Sequence, residues 1–131
     1  MKRIHLIFGV LLFVVFAMTG RYMRADFPDK EAIDQTLRVL MRSRHIYILF
    51  SALIHIVLGS YLVAGARPVA RVVQYAGSAI LFTSSVLLVW AFVSETYALQ
   101  HYSDYSRYGI YTSLGGVLLH LVGGIGPKHD H

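Results

Sequence analysis

The sequence predicts an all-α integral membrane protein: a four-helix bundle with an amphipathic segment between its first and second helices. Three observations predict it. Hydrophobic residues make up 56% of the 131-residue chain and charged residues only 15%, against about 25% charged in soluble domains. Charge in hydrocarbon is costly, so the deficit is what lipid-facing helices require. Four apolar stretches, about 4–20, 45–65, 75–93 and 108–126, approach the ~20 residues a helix needs to cross a bilayer core. Most Lys and Arg fall between these stretches. In hydrocarbon the backbone must satisfy its own hydrogen bonds, which selects helices over isolated strands. The whole chain, 1–131, reads as a single transmembrane domain.

The first stretch begins with the charged start of a secretory leader, Met1-Lys2-Arg3. Ala17-Met18-Thr19-Gly20 is a poor cleavage site, and Arg21 and Arg24 follow as a stop-transfer flank, so the expectation is a retained helix. The connection 21–44 is the longest. Asp26 is placed to cap a helix, Pro28 suits its first turn, and Asp29 and Glu31 favour the positive end of its dipole. Ile33, Leu37 and Leu40 then share one helical face. This amphipathic segment either rests at the membrane surface or runs straight into the second span.

Pro68 stands where the third helix should start. The third connection is rich in tyrosine, with Tyr97, Tyr102 and Tyr105 reading as an interfacial aromatic belt. Four spans put both termini and the Arg67/Arg71 loop on one side, A, and the two longer connections on the other, B. Side A carries five Lys and Arg (Lys2, Arg3, Arg67, Arg71, Lys128) and side B the other seven of the 12, too even a split to orient the chain.

Two histidines stand deep in spans, His55 in the second and His120 in the fourth. Ionisable side chains there are rare and face the bundle interior or a partner. Small residues accompany them at four-residue spacing: Ser51 and Gly59 around His55, and Thr112, Gly116 and Gly124 around His120. Small residues let a neighbouring backbone come close, so these five are the expected helix-packing positions. Counted from side B, both histidines fall about 15 to 18 Å along their helices, near mid-membrane. Facing each other across an up-down bundle, they would offer imidazole to both faces of a haem b iron. The alternative expectation is neutral imidazoles bonded to serine, threonine or backbone carbonyls as packing groups.

Arg44, His45, Glu95 and Arg107 gather at side B as an interfacial polar face, with Glu95 expected in an exposed pair with Arg107 or Arg44. His5 and His45, at helix ends, read as interfacial. Ser84, Ser85 and Thr83 are expected to bond back to their own helix. His129-Asp130-His131 is a weak metal-catching tail. There is no cysteine, hence no disulfide or thiolate chemistry, and no phosphate loop, nucleophile elbow or zinc-protease motif. The net charge of +5 is not gathered into one stripe, so no nucleic-acid partner is expected.

The leading expectation is a small multi-pass, non-catalytic accessory or structural subunit, or a homo-oligomer, with no cofactor, in a membrane of the bacterial inner type. Its partners would be the lipid bilayer and a membrane protein or a second copy. The alternative is a haem-bearing electron-transfer subunit ligated by His55 and His120. A transporter or channel ranks third, because the spans show no broken helix or midplane charge pair.

Overall fold

The computed structural model describes residues 1–27, 29, 33–96 and 104–124. Within them the chain forms four helices: α1 Lys2–Asp26, α2 Gln35–Tyr61, α3 Pro68–Ser94 and α4 Asp104–Gly124. No strand occurs among the described residues. The all-α bundle expected from the sequence is therefore the fold. Three helices, α1 to α3, are long and apolar enough to cross a membrane, and the molecule is a membrane protein. The fourth expected span forms α4, yet over its described residues it is not among those three. Tyrosine, serine and glycine stand there where aliphatic residues fill α1 and α3.

The helix ends differ from the hydropathy limits in an instructive way. α1 continues past Gly20 through the arginines to Asp26, because polarity ends an apolar run without ending a helix. The amphipathic segment is the start of α2 itself, so it runs straight into the second span. Its cap is Asp34, not Asp26: the Asp34 carboxylate accepts from the amides of Thr36 at 2.8 Å and Leu37 at 3.2 Å. Asp26 belongs to the last turn of α1. Pro68 opens α3 as expected. Pro28, Lys30, Glu31, Tyr97, His101, Tyr102, Gly126, Lys128 and His129-Asp130-His131 lie outside the described residues.

The helices run up and down as two hairpins, α1 with α2 and α3 with α4, and α2 of the first packs on α3 of the second. End A of the bundle holds Lys2, Tyr61, Pro68 and Gly124; end B holds Asp26, Gln35, Ser94 and Asp104. Glycine sets the spacing within each hairpin. A Cβ on Gly59 would stand 2.5 Å from the Leu6 backbone nitrogen, and one on Gly9 2.8 Å from the Ile56 nitrogen, so these two glycines let α1 lie directly on α2. Gly77 and Gly116 face each other in the second hairpin, each leaving room for the other's carbonyl.

The buried residues of α4 are Ser106, Gly109, Ser113, Gly116, His120 and Gly123. They alternate steps of three and four, the repeat of a left-handed coiled-coil seam. Gly77, Leu81, Ser84, Leu88 and Ala91 repeat in the same way on α3. The residues expected in a stripe at strict four-residue spacing are divided between this seam and the outer face of α4. Gly116 and His120 are on the seam. Thr112 turns its hydroxyl back to the Tyr108 carbonyl at 2.6 Å, and Gly124 meets nothing within 4 Å. Four-residue steps advance about 40° each around a helix and leave the seam within two steps. Ser51 and Gly59 do pack between helices, against α3 and α1 respectively.

Candidate functional site: a buried histidine–serine cluster

The seam repeat places His5 of α1, His55 of α2 and His120 of α4 toward the bundle interior, where α3 supplies Ser78 and Ser85. His5 and His55 are fully buried and His120 is 5% exposed. The His5 Nδ1 lies 2.7 Å from the His55 Nδ1. The other nitrogen of His5 is bonded to Ser78 Oγ at 2.9 Å, and that of His55 to Ser85 Oγ at 2.9 Å. Ser78 Oγ also reaches His120 Nε2 at 3.2 Å, and Ser85 Oγ reaches Ser51 Oγ at 2.6 Å. The result is one hydrogen-bonded chain through all four helices: Ser51, Ser85, His55, His5, Ser78, His120. Phe82 packs on the His5 and His55 rings and Phe8 on the His55 ring, with centroids 4.9 to 5.0 Å apart.

Counting protons along this chain shows what it can do. Ser78 is placed to donate to the Gln74 carbonyl at 3.0 Å, and Ser85 to the Leu81 carbonyl at 2.8 Å. A hydroxyl has one proton. With both serines donating to the backbone, the Nε2 atoms of His5, His55 and His120 must all carry hydrogen. Neutral His5 and His55 then turn two bare Nδ1 lone pairs on each other at 2.7 Å. Two arrangements relieve this. Either a serine swings its proton from the backbone to a histidine, or one added proton sits between the two Nδ1 atoms and is shared. The two arrangements differ by one proton and a hydroxyl rotation. His120 Nδ1 has no hydrogen-bond partner in its buried place.

His5 is the residue that sequence reasoning misplaced. Its position after Lys2 and Arg3 suggested an interfacial side chain, yet it is the centre of the cluster. The signal was its spacing: His5, Gly9 and Leu12 follow steps of four and three, and all three are buried. Along the helices the cluster lies toward end A: His5 is about 4.5 Å of helix rise from Lys2 and His55 about 9 Å from Tyr61.

The His55 and His120 pair does not suit a haem in this packing. The His5 ring lies between them, 4.9 Å from His55 and 5.7 Å from His120 by centroids. A porphyrin plane would need that space. Among the described residues no group of three His, Cys, Asp or Glu is arranged to hold a metal ion.

A second buried polar region stands at end B. Glu95, which ends α3, accepts from the Tyr105 amide at 2.8 Å and from Ser106 Oγ at 3.1 Å. Arg44 Nε donates to the same Ser106 hydroxyl at 3.4 Å and lies 3.7 Å from Glu95 Oε2. Both Arg44 and Glu95 are 2% exposed. The expected pairing of Glu95 with Arg44 therefore forms, but buried rather than exposed. Arg107 pairs instead with Asp104 at 3.1 Å on the surface. His45 joins neither region: it bonds Thr19 at 2.8 Å and stacks on Phe16 at 4.0 Å, tying α2 to α1. The expected polar face is thus divided among three sites. Ile48 and Leu88, both fully buried, separate the Arg44 region from the histidine cluster along α2 and α3.

Ser84 also departs from expectation, whereas Ser85 bonds back to the Leu81 carbonyl as expected. Thr83 does bond back to its own helix. Ser84 crosses to Ser113 and the Gly109 carbonyl on α4, and Ser85 adds its bonds to α2. No protein-family model, curated protein or solved structure matches the chain.

Proposed function

We propose that this chain is a small multi-pass accessory subunit of a membrane of the bacterial inner type, and that its histidine–serine cluster takes up a proton and passes it along the hydrogen-bond chain. It performs no chemistry on a substrate of its own. The observation that carries the reading is the 2.7 Å approach of two imidazole Nδ1 atoms in a fully buried place. Neutral rings satisfy that contact only by drawing a serine proton away from the backbone, whereas one added proton shared between the two Nδ1 atoms leaves both serines bonded to their own helix. Ionisable groups inside a membrane bundle mark proton paths in many systems, because the cost of burying them is otherwise unreturned. The apolar residues Ile48 and Leu88 beyond the cluster favour a proton-accepting dead end reached from end A over an open channel.

The test is a pH titration of the 15N-histidine-labelled protein by NMR in detergent micelles. A coupling across a His5–His55 hydrogen bond should grow as pH falls and be absent in His5→Gln. Neutral histidines of unchanging tautomer at every pH at which the protein stays folded would leave the cluster as packing and sink the proposal. So would a reduced low-spin haem band that is lost in both His55→Ala and His120→Ala.

A further inference from the structure

A groove of about 260 Å³ opens at end B between the last turns of α1 and the first turns of α2. Its rim carries Arg24, Arg38 and Arg42, and its floor is Met23, Phe27 and Met41. No carboxylate lines it among the described residues. The nearby Asp34 turns its carboxylate to the α2 amides. Toward the apolar part of the bundle the groove closes at Gly20, where a Cβ would meet the His45 ring at 3.2 Å. Phe27 is held at the wall by an edge contact with Tyr22.

We infer that this groove binds the phosphate headgroup of an anionic phospholipid. Charge complementarity argues for this occupant: Arg24 and Arg42 line one concave site with no carboxylate among its described lining residues, and a guanidinium fork matches phosphate oxygens. Position argues for it too. Gly20 is where the apolar run of α1 gives way to Arg21 and Arg24, the level at which a membrane helix meets headgroups. The methionine and phenylalanine floor suits the glycerol and upper acyl carbons attached to that phosphate. Basic pockets between membrane helices hold anionic headgroups on these grounds. The inference rests on the membrane setting alone and is independent of the proton proposal.

The experiment measures binding of a fluorescent phosphatidylglycerol to the full-length protein in neutral detergent, by anisotropy. The paired variant Arg24→Gln with Arg42→Gln should weaken binding about fivefold per arginine, about 25-fold together. A variant losing equal charge outside the groove, Arg21→Gln with Arg107→Gln, should stay within about twofold of the unaltered protein. A phosphatidylcholine probe should bind much more weakly than phosphatidylglycerol. Equal losses in the two paired variants would show general surface charge and overturn the site. Inorganic phosphate displacing the probe as well as unlabelled phosphatidylglycerol does would replace lipid by free phosphate as the occupant. A monodisperse elution profile for each variant separates binding loss from unfolding.

Discussion

The histidine cluster at end A and the Arg44–Glu95 region at end B are both buried, and both join α2 to the second hairpin through serine. They use burial differently. At end B, opposite formal charges face each other and Glu95 also takes the Tyr105 amide, so each acceptor has an assigned donor and one arrangement dominates. At end A, every group is a weak donor or acceptor whose role depends on where a few protons sit. A charged pair resists change because either partner alone would be left uncompensated in low dielectric. A set of imidazoles and hydroxyls can exchange protons at small cost. On the proposed reading, end B anchors the bundle and end A is where a proton would be taken up.

Breaking the anchor should have the largest effect. Arg44→Leu leaves Glu95 buried without its counter-charge and should lower stability by about 3–5 kcal/mol, measured by reversible unfolding in mixed micelles. Replacing both, Arg44→Leu with Glu95→Leu, should recover much of that loss. No recovery would show that Glu95 matters mainly as the acceptor at the start of α4.

The histidine cluster should yield less. His55→Leu removes hydrogen bonds between neutral groups and should cost about 1–2 kcal/mol by the same measurement. A loss as large as that of Arg44→Leu would mean that the cluster holds a standing charge, and would erase the contrast. The smallest effect belongs to the exposed pair. Arg107→Gln breaks its contact with Asp104 and should change stability by less than about 1 kcal/mol, because solvent already screens both groups. A larger change would show that the start of α4 is anchored from its surface as well as through Glu95.

Much of the site was legible in part. His55 and His120 stood out because ionisable residues in apolar runs are rare, and both do face inward. His5 was hidden by the two basic residues before it, since hydropathy weights a neighbourhood rather than a direction. Glu95 was read by its place at the edge of a span, which says nothing about whether the next helix folds over it. The serines of α3 were ambiguous because a hydroxyl can satisfy its own helix or a neighbour with equal ease.

The sequence by itself determined that this chain is helical, that most of it is too apolar for water, and which faces of α2 and α4 carry histidine. Those properties follow from composition and from the helical period, both local. Only the tertiary structure decided that His5 meets His55, that Ser78 links His5 to His120, and that Arg44 is buried with Glu95. Each of these depends on the rotation and axial offset of one helix against another. One residue of offset shifts a contact by about 1.5 Å and about 100°, and that register is set by glycines such as Gly59, Gly77 and Gly116 meeting backbones far away in sequence.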